Sequence, residues 1–266
     1  MDTVQQVGEL RGILPVLFHI GRVGISSYTF FIALGIVVGA WVYYHEAKKA
    51  GQVSEFSFLI AVGAFVGSTL GSKLLELILN IDRVKTMNDF TGIIFSGRTV
   101  IGGLIGGTLG VWFTKKVAGF KGKRGNLFAP AVALGISIGR IGCFLNGCCY
   151  GKPSGLPWAV NFGDGIPRHP TQLYESAFML MMFFIIKHAL PEGKTIPGYL
   201  FKILMTAYFF YRFFIEFIRV ERVAVFGLTY FQIISVFVLI YLIFSEKGLI
   251  LKQITRHGKR RTTLPT

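Results

Sequence analysis

The sequence predicts an all-α polytopic membrane protein with about seven transmembrane helices, which form one domain over residues 1–266. Of its 266 residues, 52% are hydrophobic and only 15% are charged, and the mean hydropathy is +0.58. A helix of ~20 apolar residues is long enough to cross a bilayer. Seven apolar runs of about this length are present, at residues 27–46, 56–79, 93–113, 126–145, 172–190, 197–218 and 228–245.

The basic residues predict how these helices are oriented. Of the 28 Lys and Arg residues, fifteen lie after runs one, three, five and seven, if Lys187 in the last turn of run five is counted with them. Eight lie on the opposite side, and the other five lie deeper inside the runs. Cytoplasmic loops carry the excess of basic residues. We therefore expect an external N-terminal segment of 26 residues and a basic cytoplasmic tail at 246–266. The apolar stretch at 13–20 is too short to span and is expected in the outer interface.

The net charge of +15 does not predict a nucleic-acid partner, because the basic residues flank apolar runs. We interpret the basic tail as an orientation signal that contacts lipid headgroups, so the expected partners include membrane lipids. The sequence has no Gly-rich phosphate loop, HExxH motif or GxSxG motif. Cys143, Cys148 and Cys149 match no zinc-binding spacing with His169. We expect neither a metal nor a cofactor.

Glycines recur at every fourth position in the first four runs, and this spacing lets helix backbones approach closely. Simple helix packing explains most of them. A functional interpretation applies to Gly97, Gly102 and Gly103, which flank an arginine at position 98 inside run three. We expect irregular backbone here, lining a cavity that also takes Arg98, since broken helices are tolerated beside cavities.

Run four ends with an arginine, Arg140, followed by a turn-forming segment. An arginine at membrane depth is costly and needs a partner, so it marks a candidate functional site. Gly142, Asn146 and the neighbouring glycines suit a tight backbone turn near a polar ligand.

Run six places Tyr208, Arg212, Glu216 and Arg219 at steps of four, four and three residues, which puts them on one helix face. One interpretation is a neutral Arg212–Glu216 pair that merely lets the helix insert. The other is an anion site in which Glu216 orients Arg212, with Arg140 at similar depth. Two converging guanidinium groups suit a phosphate. We expect Arg219 to lie nearer the water.

The segment before run five contains a second group of polar residues, at 168–175. A structural interpretation makes Thr171 the N-cap of a helix and places Glu175 in its first turn.

These segments together resemble the prolipoprotein diacylglyceryl transferase family. The resemblance rests on residues 139–147, on residues 168–175, on the Arg-x-x-x-Glu spacing of run six and on the glycine pattern at 102–106. It implies a multi-pass protein of the bacterial cytoplasmic membrane. Such a protein transfers a diacylglyceryl group from phosphatidylglycerol to the cysteine thiol in the signal-peptide region of a prolipoprotein, and glycerol phosphate leaves.

The resemblance also implies roles for individual residues. It implies that the catalytic residues are Arg140, Arg212, Glu216 and Tyr208. The residues expected to contact substrate are Arg98, Gly102, Gly103, Gly142, Asn146, His169, Gln172, Tyr174 and Glu175.

Three positions depart from the family pattern. Ile101 replaces a histidine, Cys143 an asparagine and Cys148 an acidic residue. Two alternatives therefore stay open: a diverged member with another acceptor or head group, and a non-catalytic phospholipid-binding or transport protein. If the chain is a transferase, we hypothesise that the positive field of the arginines activates the acceptor thiol without an imidazole, with Glu216 as the one obvious acid among them.

Overall fold

The computed structural model describes residues 12–96, 99–189 and 196–261. Within these ranges most of the chain is helical. The helices are α1 (Ser27–Lys49), α2 (Glu55–Leu79), α3 (Met87–Ser96), α4 (Val100–Val117), α5 (Gly125–Leu145), α6 (Thr171–Ala189), α7 (Tyr199–Ile215) and α8 (Tyr230–Arg261). Short antiparallel strand pairs join some of them: β1 (Val16–Ile20) with β2 (Val23–Ser26), β3 (Val160–Asn161) with β4 (Pro167–Arg168), and β5 (Val223–Val225) with β6 (Leu228–Thr229).

The helical membrane class agrees with the sequence-based prediction. In the described part of the chain, α1, α2 and α5 are long and apolar enough to cross a membrane, and α8 begins with the shorter apolar segment Tyr230–Ser245. A strictly all-α fold is wrong in detail, because the N-terminal apolar stretch forms the β1–β2 hairpin. Its strands are joined by a tight turn in which Gly21 has φ +61°.

The third predicted run is not one continuous helix. α3 ends at Ser96, and α4 begins at Val100 with Thr99 as its N-cap, whose hydroxyl accepts a hydrogen bond from the Gly102 N–H at 3.2 Å. A threonine in this position satisfies a free N–H group of the first helical turn. The expected irregular backbone is wrong for Gly102 and Gly103, which lie inside regular helix. Gly97 and Arg98 lie outside the described residues.

The glycines of α4 pack against those of α2. A Cβ atom on Gly106 would lie 2.3 Å from the carbonyl oxygen of Gly67, and one on Gly71 would lie 2.5 Å from that of Gly102. These distances leave no room for a side chain, so the two backbones touch. The packing interpretation therefore holds for these glycines.

α5 is the central helix, in contact with α1, α6 and α7. It packs closely on α1, because a Cβ atom on Gly35 would lie 2.6 Å from the carbonyl oxygen of Gly135. On α6, the hydroxyl of Ser176 donates to the carbonyl of Ser137 at 2.8 Å, and the Ser137 hydroxyl donates back to the Ser176 carbonyl at 2.9 Å. This reciprocal pair holds the helices in register and brings the end of α5 beside the start of α6.

The start of α7 is tied to α5 by one side chain. Asn126 donates to the carbonyl of Ile196 at 3.0 Å and accepts from the N–H of Leu200 at 3.1 Å. Beyond this point, α7 contributes Leu204 and Phe209 to an apolar core shared with α4, α5, α6 and α8. The same packing fixes which face of α7 points inward.

The segment between α5 and α6 is rich in turns, as the sequence predicts, but it also packs onto the protein. Phe162 is completely buried and its ring stacks on Tyr150 at 5.6 Å. Thr171 is not an N-cap: it is the first residue of α6, and its hydroxyl donates to the carbonyl of Cys149 at 2.8 Å. Glu175 lies beyond the first turn of that helix.

Candidate functional site

Glu175 lies at the centre of a buried polar cluster between α5, α6 and α7. Its side chain is 1% exposed. One carboxylate oxygen lies 2.8 Å from Arg140 Nη2 and 3.6 Å from Arg212 Nη1. The other accepts a hydrogen bond from the Tyr208 hydroxyl at 3.0 Å. Glu175 thus contacts both of the arginines that the sequence predicts to be catalytic.

A second carboxylate, Glu216, extends the cluster toward the end of α7. It lies in a 3-10 turn (Glu216–Ile218) that follows the helix. One oxygen is 2.6 Å from Arg212 Nη2 and 3.4 Å from Arg219 Nε. The other accepts from the Thr229 hydroxyl at 3.1 Å, so the residue just before α8 also holds it. The predicted Arg212–Glu216 pair is confirmed.

The charges of this cluster do not cancel. The three guanidinium groups of Arg140, Arg212 and Arg219 are buried with two carboxylates, Glu175 and Glu216. This leaves one net positive charge among them. Glu221 is 2.9 Å from Arg219 Nη2, and its side chain is 26% exposed, so it lies at the rim. A buried cluster of this kind suits an anionic ligand.

Several nitrogen atoms of the cluster also lack hydrogen-bond acceptors. In the described ranges, Arg140 Nε and Arg212 Nε are buried and have no hydrogen-bond partner, and Arg212 Nη1 makes only the 3.6 Å ion-pair contact. Buried donors are normally satisfied, so each needs an explanation. Phosphate oxygens accept from guanidinium groups in this way.

The loop after α5 is fixed to this cluster by its backbone. Arg219 Nη1 donates to the carbonyl of Cys149 at 3.0 Å, and Gln172 Nε2 donates to the carbonyl of Cys148 at 2.6 Å. Gln172 therefore holds the loop in the structure, although the sequence predicts substrate contact. Whether it also touches substrate stays a prediction.

A cavity of about 190 Å³ opens beside Arg219. The polar residues lining it include Lys152, Glu216, Arg219, Glu221, Thr229 and Gln232. It connects the buried cluster with the β5–β6 hairpin, and its lining carries charges of both signs. An anionic group could reach Arg219 from this side.

Other predicted substrate contacts lie at the rim or apart from the arginines. The Tyr174 hydroxyl lies 3.4 Å from His169 Nδ1 and accepts from Trp158 Nε1 at 2.7 Å. Asn146 is the C-cap of α5, and its N–H donates to the carbonyl of Gly142 at 3.0 Å. Their contact with substrate stays a prediction.

The predicted glycines serve close packing in the structure. A Cβ atom on Gly142 would lie 2.7 Å from Phe31 Cβ in α1. One on Gly102 would lie 2.4 Å from the carbonyl oxygen of Gly71, and one on Gly103 would lie 3.1 Å from Ser68 Oγ, both in α2. None of these neighbours belongs to the arginine cluster. The side chain of Arg98 lies outside the described residues.

Two expectations about the site are wrong. Arg219 is 4% exposed rather than near water, and its guanidinium group contacts Glu216, Glu221 and the carbonyl of Cys149. Glu216 is also not the one acid among the arginines, because Glu175 lies closer to Arg140. The spacing of run six already put Arg219 on the same face as Arg212, and this was the signal for its burial. Thr229 had no comparable signal.

Three apolar helices of membrane-spanning length, of which α5 carries the buried Arg140 beside Arg212 of α7, define a helical membrane protein with a cationic interior site. A family model described as prolipoprotein diacylglyceryl transferase matches residues 15–245. The chain belongs to this family.

Curated relatives agree with this assignment. The chain is 36% identical over 239 residues to a phosphatidylglycerol–prolipoprotein diacylglyceryl transferase of Clostridium tetani. The matched region covers 86% of this chain and 95% of the relative. It is 32% identical to the protein of the same name from Dehalococcoides mccartyi, with 83% of this chain and 88% of the relative covered. A third relative of that name, from Pasteurella multocida, is 32% identical with 83% and 84% covered.

Proposed function

We propose that this protein transfers a diacylglyceryl group from phosphatidylglycerol to the lipobox cysteine of a prolipoprotein. The relatives that match most of its length carry this activity in their names. The observation that carries the proposal is the Arg140–Glu175–Arg212 cluster, which is buried, keeps a net positive charge with Arg219 and has unpartnered N–H donors.

In the proposed mechanism, the lipid phosphate lies between Arg140 and Arg212. The acceptor thiolate attacks the carbon of the diacylglyceryl group that is bonded to the phosphate oxygen. A C–S bond forms there as the C–O bond to the phosphate breaks. Glycerol phosphate leaves with one more negative charge than the phosphodiester had. Donors that face this developing charge each contribute about 10²- to 10³-fold to the rate of such reactions. Glu175 positions the two arginines by contacting both.

The acceptor thiol needs to be deprotonated, and an ordinary thiol with a pKa of ~8.5 is only slightly ionised at neutral pH. Position 101 supplies no base, because Ile101 is 1% exposed and belongs to the apolar core. We propose that the positive charge of the arginine cluster stabilises the thiolate instead. The cluster differs from the one expected from sequence, since Arg219 and Glu175 belong to it.

We also propose a seven-span topology in the bacterial cytoplasmic membrane, with the N-terminus outside and the tail in the cytoplasm. The basic excess of fifteen against eight supports this orientation. A single cysteine introduced in place of Lys121 should react with an impermeant maleimide only after the cells are opened. Labelling of intact cells at that position would reverse the topology.

The function is tested by direct transfer. Purified full-length protein is incubated with radiolabelled phosphatidylglycerol and a lipobox peptide, and the products are separated. We expect a diacylglyceryl thioether on the peptide cysteine and an equal amount of glycerol phosphate. Lipid binding without either product would favour the non-catalytic alternative. Product formation with a different phospholipid only would favour a diverged head-group specificity.

A further inference from the structure

The β5–β6 hairpin carries a large apolar side chain at its tip that the chain itself does not cover. Val225 pairs with Leu228, so Phe226 and Gly227 form a two-residue turn between the strands. Phe226 is 97% exposed, and Val223 and Val225 of β5 are exposed as well. Apolar side chains contribute to stability when they are removed from water. In this position the phenyl group therefore gains nothing from the fold.

The backbone of this turn favours a residue other than phenylalanine at its first position. Phe226 has φ +53° and Gly227 has φ +76°. Two-residue hairpin turns with positive φ at both positions prefer Asn-Gly or Asp-Gly. Among the described residues other than glycine, only Phe226 and Cys149 have positive φ. A bulky side chain in this conformation costs free energy, and such residues cluster at functional positions. The exposed phenyl group thus indicates a contact outside the chain.

The hairpin lies at the level where two apolar helices end. Arg222, directly before β5, donates to both carboxylate oxygens of Asp82 at 3.0 and 2.8 Å, and Asp82 lies shortly after the end of α2. Gly151, in the loop after α5, forms a β-bridge with Arg219. Both α2 and α5 are long and apolar enough to cross a membrane. Tyr230, exposed at the start of α8, is a residue type enriched where helices leave the bilayer. The hairpin is therefore at a membrane surface.

Exposed apolar residues lead from α7 into this hairpin. Phe210, Phe214 and Phe217 are exposed at steps of four and three residues, which places them on one face of α7 and of the turn that follows it. Val220 is exposed at the next step of three. Phe217, Val220 and Val223 line the same cavity, so this apolar surface is continuous in space from α7 to β5. Contiguous exposed apolar surface marks a contact with a membrane or a protein, and here it begins on an apolar helix.

We propose that the β5–β6 hairpin is a membrane anchor that inserts Phe226 into the lipid leaflet on the side where α7 ends. Its partner is the acyl region of that leaflet, because the apolar surface of α7 continues onto β5 at the level where α2 and α5 end. The hairpin also contributes Val223, Gly227 and Thr229 to the cavity beside Arg219. The anchor therefore holds one wall of this cavity at the depth of the lipid headgroups. That consequence rests on the proposed transferase function, whereas the insertion itself does not.

The experiment uses the purified full-length protein in vesicles of phosphatidylcholine and phosphatidylglycerol that contain a phospholipid with a diazirine on its acyl chain. After illumination, the labelled residues are mapped by mass spectrometry. We expect label at Phe226 and Val225. We expect none at Asp164 in the β3–β4 turn, where the side chain accepts from the Ile166 N–H and from Arg168. Phe226→Asn should lower the label at Val225 by about tenfold, because burying one Phe side chain favours insertion by about that factor or more.

Phe226→Leu is the matched control, because it keeps an apolar side chain at the tip, and it should retain the label at Val225. The unfolding temperature of Phe226→Asn in detergent should equal or exceed that of the wild type, because asparagine adopts positive φ more readily. A loss of label in this variant therefore reports insertion rather than unfolding. Equal labelling of the Asn and Leu variants would overturn the proposal.

Two other results would also overturn the anchor. One is wild-type labelling of the tip by a water-soluble diazirine alone. The other is lipid label that disappears as the protein-to-lipid ratio rises, because a second copy of the chain would then cover the tip. Transfer to a lipobox peptide is measured in the same vesicles. Transfer without label on the hairpin would refute the anchor alone, and the expected labelling without transfer would refute the transferase function and support the anchor.

Discussion

Replacing Glu175 by glutamine removes the charge that links Arg140 to Arg212 and leaves the size of the side chain unchanged. The amide oxygen can still accept from the Tyr208 hydroxyl, which now lies 3.0 Å from the carboxylate. The two guanidinium groups lose their shared partner at 2.8 and 3.6 Å and repel one another. Removing one partner from a buried ion pair costs about 3–5 kcal/mol.

This cost gives two measurable effects. The unfolding temperature in detergent should fall by on the order of 10 °C, if each kcal/mol corresponds to about 2–4 °C. The transfer rate should fall by about 10²-fold, because the arginines lose the alignment that the phosphate needs. Glu221→Gln is the control: this carboxylate pairs with Arg219 at the rim, where such a pair contributes ~1 kcal/mol or less.

The result that would refute this reasoning concerns the sign of the activity change. Glu175→Gln makes the cluster more positive, so arginines that act only as bulk charge would bind phosphatidylglycerol more tightly and transfer at least as fast. Unchanged stability together with unchanged or higher activity would therefore show that Glu175 does not position Arg140 and Arg212.

Other predictions concern packing and thiol chemistry. Gly106→Ala places a Cβ atom 2.3 Å from the Gly67 carbonyl oxygen and should lower the unfolding temperature, as overpacking costs ~1–3 kcal/mol. A Cβ atom on Gly92 has no neighbour within 4 Å, so Gly92→Ala should not lower the unfolding temperature. Equal decreases in both variants would contradict the backbone contact between α2 and α4. Alkylation of Cys149, mapped by mass spectrometry, should have its midpoint below pH ~8.5, because its pKa is lowered. Arg219→Gln should move this midpoint upward. A wild-type midpoint at the ordinary thiol value would contradict the lowered pKa of Cys149.

The sequence predicts those parts of the fold that depend on local patterns. Apolar runs locate the helices, and glycines at every fourth position predict the close contact of α2 with α4. The four-residue spacing of Arg212 and Glu216 predicts their ion pair. The boundary between α3 and α4 was not located, because run three is predicted as one span although the polar residues at 96–99 interrupt it and Thr99 caps the second helix.

The centre of the site depends on contacts between distant segments. A carboxylate near the start of a helix has a local explanation in the helix dipole. For Glu175, this explanation hides its contact with Arg140, which lies on another helix and reaches it because Ser137 and Ser176 hold α5 against α6. Arg219 likewise contacts the carbonyl of Cys149, which lies 70 residues earlier in the chain. No local pattern predicts the contact of Glu175 with Arg140 or that of Arg219 with the Cys149 carbonyl, although the spacing of run six places Arg219 on the same face as Arg212.

The most direct test of the account is lipid retention by arginine variants. Arg140→Lys and Arg212→Lys keep the charge but lose the planar guanidinium fork that binds phosphate through two donors. Arg222→Lys is the control, since Arg222 pairs with Asp82 at the surface, where its side chain is 47% exposed. The full-length proteins are compared by native mass spectrometry in detergent with phosphatidylglycerol. We predict that both inner variants lose the bound lipid while Arg222→Lys retains it; equal retention by all three would contradict a phosphate site between Arg140 and Arg212.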